Sequence, residues 1–494
     1  MSENIQKSPL PCGGGLGVGE TQSIKQGYKQ TLLGILPQEW EVVRLGEVGD
    51  IVGGGTPDTT NSAFWNGEIA WISSSDIDEE SIYKISIRRF INEFAIKNSA
   101  TNLIPAKSVL IISRVGVGKV AVNEIPLCTS QDTQSLILKN AHYIFMAYLI
   151  KYNIKTLLQY NQGTSIQGFT KTELKSLQIP LPPLAEQEKI AQILGVWDKG
   201  ISVLKSLIEA KTKRKKALMQ RLLTPPTHPL TPSAREGEQK SHHDTKAPPL
   251  AGGVGVGYSH IENNRNDDKV LDCHDLTASN LAMTEKNSKS LRFAEFTDKW
   301  QEMRLGDICE NRRGSFPQPY GLKKWYGGDE AMPFVQVIDI DENLRLKSKT
   351  KQTISKLAQP KSVFVHKNTI LSSIQGSIGR VALTQYDCYA DRTIAIFTNL
   401  KPQIDSIFFL YSLDKLFKTK AKGARGSTIK TITKEEFNDF IIHIPTLTEQ
   451  KKIAQVLSAC DKEIELLKSK FQCLKTQKKG LMQRLLNGEV RVKC

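Results

Sequence analysis

One segment of this chain is written twice, and any fold has to accommodate both copies. The first reads I-P-L-P-P-L-A-E-Q-E-K-I-A-Q-I-L and runs on to A-L-M-Q-R-L-L, from Ile179 to Leu223. The second reads I-H-I-P-T-L-T-E-Q-K-K-I-A-Q-V-L and runs on to G-L-M-Q-R-L-L, from Ile442 to Leu486. Glu186 aligns with Glu449 and Arg221 with Arg484 at one offset, so no gap interrupts the match. About half of the aligned positions are identical, which marks an internal repeat. The chain is therefore two related units in series, each closed by this segment.

The segment has the pattern of a single long helix. Ile190, Leu194, Trp197, Ile201, Leu204 and Ile208 alternate steps of four and three, the seam of a coiled coil. Ile453, Leu457, Cys460, Ile464, Leu467, Phe471 and Leu474 repeat it. Lys211, Lys215 and Lys478 interrupt the seam before Leu218/Leu222 and Leu481/Leu485 resume it. Pro182, Pro183 and Pro445 stand just ahead of the helices, where proline is tolerated. Thr448, followed by Glu449 and Gln450, is a candidate cap. Roughly 40 residues at about 1.5 Å each give a rod of about 60 Å. Two such rods with matching seams are expected to pack on each other. Leu184, Glu186 and Gln187, with Leu447, Glu449 and Gln450, open the candidate packing surface.

The regions outside the rods set the number of units. Trp40 and Leu45-Gly46 match Trp300 and Leu305-Gly306. Ile69-Ala-Trp-Ile matches Met332-Pro-Phe-Val, Val109-Leu-Ile-Ile matches Thr369-Ile-Leu-Ser, and Gly118-Lys-Val-Ala matches Gly379-Arg-Val-Ala. Helical runs, Tyr143 to Leu158 and Ile404 to Phe417, follow in each copy. The fold class is α+β: two similar mixed α/β globules and two long helices. Expected boundaries are a tail over 1–30, a globule over 31–178, a helix over 179–223, a linker over 224–290, a second globule over 291–441 and a final helix over 442–494. The linker is rich in Pro, Gly, Ser and charge and lacks periodicity.

Composition narrows the partner. The 494 residues carry a formal charge of +16, which favours a polyanion such as nucleic acid. No apolar run approaches the roughly 20 residues of a membrane helix, and Met1 to Leu10 has no signal-peptide core. The eight cysteines form no C-x-x-C pair and are read as reduced thiols in a cytoplasmic protein. His242-His243 and Cys273-His274 lack ligand-spaced partners, so no metal site is expected.

Catalytic signatures fail one by one. Gly118-Lys119 is not a phosphate loop, because Ser113 stands where the first glycine belongs and Val120 replaces the hydroxyl residue. The glycine strings at 13–19 and 252–257 have no flanking strand and helix. No N-P-P-Y or D-P-P-Y string supports an amino-methyltransferase. Glu238 and Lys240 resemble half of a nuclease centre but lie in the linker. Glu186, Glu188 and Glu449 are explained by the dipole at a helix start. Binding residues are plentiful instead. The first unit offers Arg88, Arg89, Arg114, Lys119, Gln162, Ser165, Gln167 and Lys171 in turn-rich contexts. The second offers Arg312, Arg313, Gln336, Gln375, Arg380, Arg392, Lys420, Lys422, Arg425, Ser427 and Lys430. Cationic side chains neutralise phosphates, and Arg and Gln also make bidentate contacts to base edges.

The opening I-L-P-Q-E-W-E-V-V-R-L-G-E-V, the P-L-P-P-L-A-E-Q-E-K-I-A-Q-I-L helix and L-M-Q-R-L-L, then repeated, resemble the specificity (S) subunit of type I restriction-modification systems. The resemblance covers nearly the whole chain, departing from the family pattern in the long central linker and the Gly-rich tail. It implies two target recognition domains on a pseudo-two-fold, antiparallel pair of conserved helices. It also implies a chain without an active site that binds a bipartite asymmetric duplex DNA target and docks two methylation (M) subunits. Restriction (R) subunits would join through these. No cofactor belongs to this chain; S-adenosylmethionine, ATP and Mg belong to the partners. The competing class is a helical scaffold whose globules bind protein. At about 3.4 Å per base pair, a 60 Å rod limits the site to about 18 base pairs. Deleting one heptad from both helices is expected to shorten the unread gap and leave the half-sites unchanged. Methylation mapping checks this; a gap of unaltered length contradicts a helical ruler.

Overall fold

The computed structural model describes residues 26–159, 168–226, 290–423 and 432–493. The chain divides into two compact units, Met1–Lys205 with Lys470–Cys494, and Ser206–Ser469. Two long helices, Leu184–Leu222 and Leu447–Leu486, each contribute one half to each unit. At 1.5 Å per residue both are close to 60 Å long.

Both units are built on the same strands. In the first, one four-stranded sheet has the order Arg89–Ile91, Ile69–Ile72, Leu127–Thr129, Leu103–Ile104. A second has the order Gly49–Gly53, Thr133–Leu138, Val109–Ile112, Val120–Val122. The second unit repeats them as Gln352–Ile354, Met332–Val335, Cys388–Ala390, Val363–Val365 and as Glu310–Arg313, Ile394–Thr398, Ile370–Ser373, Val381–Leu383. The central pair of the first sheet is parallel in both, Trp71 opposite Cys128 and Phe334 opposite Tyr389. A final antiparallel pair, Glu41–Arg44 with Gln178–Leu181 or Gln301–Arg304 with Ile441–Ile444, leads straight into a long helix. Ile370 pairs with Leu383 as Val109 pairs with Val122, so the equivalent of Val109 is Ile370 and not Thr369. The shift of one position arises because both strands carry an apolar Ile or Leu at neighbouring places.

Gly54 and Gly314 occupy matching crossings. A Cβ on either would lie 2.2 Å from a carbonyl oxygen, of Ser130 or of Ala390, so the backbones meet too closely for any side chain.

The helix starts are anchored by the E-Q pair. Gln187 donates through Nε2 to the Pro182 carbonyl and accepts from the His142 amide. Gln450 donates to the Pro445 carbonyl and accepts from the Asp405 amide. Each glutamine thus ties the loop before a long helix to the start of a shorter one, Tyr143–Gln159 or Ser406–Gly423. The second long helix begins at Leu447, so Thr448 lies within its first turn and is not the cap. Ile190 and Leu194 enter the core of the first unit beside Leu485 and Leu486 of the other long helix. Ile453 and Leu457 enter the second core beside Leu222 and Leu223. Each such side chain contributes about 1.5–3 kcal/mol by burial.

The repeated glutamates do more than meet a helix dipole. Glu186 is buried, accepts from Trp40 Nε1 at 2.9 Å and pairs with Arg491 through Nε and Nη2 at 2.8 and 2.9 Å. Glu449 is buried and pairs with Arg292 in the same two-pronged way, at 2.9 and 2.8 Å. Both arginines stand beside the end of the opposite helix, where the Val490 amide meets the Arg484 carbonyl and the Leu291 amide, from a segment remote in sequence, the Arg221 carbonyl. Removing one member of a buried pair strands the other charge. Glu449→Ala is therefore expected to lower stability by about 3–5 kcal/mol in urea unfolding, and Arg292→Met with Glu449→Leu to recover most of it. A single variant as stable as the parent contradicts this.

Candidate nucleic-acid interface

The exposed chemistry of each unit sits on a common frame. After Ile72 the chain makes a tight turn, Ser74–Asp76, and after Val335 it makes the equivalent turn, Val337–Asp339. The turns close the same way, because the Ser73 amide donates to Asp76 and the Gln336 amide to Asp339, both at 2.9 Å. Asp76 and Asp339 are both buried. Lys119 and Arg380, at matching places, donate to carbonyls of these segments, Ser74 at 3.1 Å and Ile340 at 3.2 Å.

The frames carry different side chains. In the first unit Arg89, opposite Trp71 in the sheet, pairs with Asp76, donates to Ser73 Oγ at 2.8 Å and covers the Trp71 ring at 4.5 Å. Burial is the largest single influence on the Asp76 carboxyl and raises it, but the Ser73 amide, the Ser73 hydroxyl and Arg89 together hold it below its ordinary value. In the second unit Gln352 stands opposite Phe334 where Arg89 stands opposite Trp71. Its uncharged amide forms no ion pair, and it lines an open cleft of about 570 Å³ together with Tyr320, Lys323, Tyr326, Gln336 and Lys351. Gln336 Nε2 donates to Tyr320 Oη at 3.0 Å, and Arg392 lies 5.6 Å from the Tyr320 ring.

The other sequence candidates are dispersed. Arg88, Arg114 and Lys171 are exposed, and none has an ion-pair partner among the described residues. Arg312 and Arg313 lie on the edge strand Glu310–Arg313, where Arg313 donates to the Ile432 carbonyl at 3.0 Å. Gln375 is exposed beyond Ile370–Ser373. Lys420 is exposed with its ammonium 5.4 Å from the Phe440 ring. Lys422 is on the helix ending at Gly423. Gln162, Ser165, Gln167, Arg425, Ser427 and Lys430 lie outside the described residues, as do His242-His243, Cys273-His274 and both glycine strings. The run F-P-Q-P-Y-G-L-K-K-W-Y, 316–326, was the available signal for the aromatic and basic wall of the cleft, but it has no helix or strand period and no motif spacing.

On the helices, Glu186, Gln187, Ile190, Leu194, Leu204, Glu449, Gln450, Ile453, Leu457 and Ile464 are buried. Trp197, Ile201, Leu447 and Leu467 are half-buried, and Leu184 is exposed. The lysines that break the apolar seam have partners across it. Lys211 meets Glu463 and Lys215 meets Asp461, each at 2.5 Å, while Lys478 meets Asp198 at 2.5 Å. Residue numbers rise on one helix as they fall on the other, so the helices run antiparallel. Asp198 and Asp461 also accept from Tyr148 at 2.5 Å and Tyr411 at 2.6 Å. Burial first and the adjacent carboxylate second raise both phenols, keeping them proton donors. Among the described residues no group of His, Cys, Asp and Glu could hold a metal ion, and no helix is long and apolar enough to cross a membrane. The five cysteines there are free thiols.

Comparison with known proteins follows this repeat. The family described as Type I restriction modification DNA specificity domain matches residues 37–211 and again 297–476. The chain belongs to that family and carries its domain twice. Among relatives, the type I restriction enzyme MjaIX specificity subunit of Methanocaldococcus jannaschii is 23% identical over 474 residues, spanning 94% of this chain and 96% of its own. The EcoR124I/EcoR124II specificity subunit of Escherichia coli is 33% identical over 179 residues, 35% of this chain and 44% of that one. A chain from a solved structure concerned with complex assembly and conformational transition of the type I R-M system shares the fold, with TM-score 0.53 and 18% identity over 92% of this chain and 99% of that chain. The protein is a type I specificity subunit, a class that recognises DNA with two domains.

Proposed function

We propose that this chain is the non-catalytic DNA-reading subunit of a type I restriction-modification complex and that it binds a bipartite asymmetric duplex target. Each recognition globule, 31–178 and 291–441, reads one half-site. The observation that carries this reading is a shared frame with unlike exposed chemistry: an arginine locked on Asp76 in one unit, and an open Tyr, Gln and Lys cleft beside Asp339 in the other. Two equal readers would require a symmetric target; two unlike readers fit an asymmetric one. The long helices dock two methylation subunits, and restriction subunits join through these. S-adenosylmethionine, ATP and Mg are then bound by the partners. The +16 charge suits a phosphate backbone, with Arg88, Arg114, Lys171 and Arg312 as exposed cations on the recognition units.

Phosphate contacts release counterions, so their number sets the salt dependence. With roughly six to ten phosphates neutralised, raising salt from about 50 to about 200 mM is expected to weaken duplex binding about 10³- to 10⁵-fold. Filter binding of the full chain with its methylation partners measures this. Salt-insensitive binding, or binding to a protein in place of DNA, favours the scaffold reading and overturns this one.

A further inference from the structure

The proposed function does not say which side chains distinguish bases. Three residue exchanges separate the two frames at this point, Trp71 for Phe334, Ser73 for Gln336 and Arg89 for Gln352, and the last decides which side chain is free. The sheet position opposite Trp71 holds Arg89, whose guanidinium is consumed by Asp76, Ser73 and the Trp71 ring. The position opposite Phe334 holds Gln352, and Asp339 is satisfied without it, by the amides of Gln336 and Lys351 at 2.9 and 2.7 Å. The Gln352 amide therefore has both its donor and its acceptor free among the described residues, at the wall of a cleft large enough to admit the edge of a base. Tyr320 and Tyr326 wall the cleft with aromatic surface, and the Tyr320 hydroxyl occupies one Gln336 donor. Lys323 and Lys351 are exposed at its rim, with no acidic partner among the described residues.

We infer that this cleft is the base-reading pocket of the second unit, with Gln352 engaging an adenine through its major-groove edge. A glutamine amide matches adenine in two bonds at once, its oxygen accepting from N6–H and its Nε2 donating to N7. Guanine offers two acceptors at the same edge and leaves the amide oxygen without a donor. Lys323 and Lys351 then contact the flanking phosphates as point charges, which fix position and carry no sequence information. The first unit, where Arg89 at the equivalent sheet position is held by Asp76 and Ser73, reads its half-site by other groups. This assignment rests on the DNA-reading function proposed above.

The test uses the full chain copurified with its methylation partners. The parent is first selected against a randomised duplex pool, and every single base-pair variant of the selected target is then measured. Gln352→Ala is expected to lose roughly 5- to 150-fold discrimination at one A·T position in one half-site and to leave the other half-site unchanged. Gln352→Arg, which places the residue of the first unit's equivalent position here and keeps a large side chain at the sheet, is expected to relax the same position. Lys351→Ala is expected to weaken all duplexes alike and to reduce the salt slope by about one. Circular dichroism verifies that each variant is folded. Unaltered preference in both Gln352 variants overturns the assignment, as does relaxation at a G·C position or a uniform loss across both half-sites. If the parent itself selects no sequence, the DNA-reading function fails first and the pocket assignment with it.

Discussion

Two aspartates, Asp198 and Asp461, sit where the rest of the protein depends on them. Each accepts a phenol from the shorter helix of its own globule and a lysine from the opposite long helix. Lys478 and Lys215 lie 5.0 and 5.3 Å from the Tyr148 and Tyr411 rings, so each ammonium meets an anion and an aromatic face together. An uncompensated charge at such half-buried places would be costly, and pairing in this pattern satisfies it only when the helices run in opposite directions. Lys–Asp pairs at seam positions thus select one helix orientation, a role for polar residues in coiled coils that apolar packing alone does not fill.

The antiparallel crossing determines how each globule is completed. A core in this protein is not contiguous in sequence: the start of one long helix and the end of the other fill it together. The buried Glu449–Arg292 pair, and the buried Glu186 with its surface partner Arg491, seal those junctions. Glu186 gains a third contact from Trp40, whereas Trp300, at the equivalent place, has no hydrogen-bond partner at its ring nitrogen among the described residues. The frame is thus duplicated in its glutamate–arginine pairs and in the glutamines at the helix starts, and the copies part at the Trp40 bond and at half-buried positions such as Arg89 and Gln352. That division of labour is what a two-domain DNA reader requires: rigid shared support, and chemistry free to vary.

Much of this was legible in the residues. The repeat, the helix seams and the α+β character follow from spacing and identity, because apolar periodicity reports directly on burial. The lysines in the seam read as interruptions because a sequence places no residue of one helix opposite a residue of the other; Asp198 and Asp461 become meaningful only once the crossing is known. Glu186 and Glu449 read as partners of the helix dipole for the same reason, since Arg491 and Arg292 are remote in sequence. Arg89 and Arg392 share a residue type yet differ in availability: the first is locked on Asp76, whereas the second is exposed beside Tyr320. No single-sequence rule separates an arginine that braces a sheet from one that faces solvent.

The central claim is that the crossing is held by complementary charge between the long helices. A double-mutant cycle on Lys215→Met and Asp461→Asn, read by urea unfolding of the full chain, measures it most directly. The account predicts a coupling energy of roughly 1–3 kcal/mol between the two positions. Strictly additive effects of the two substitutions would contradict it.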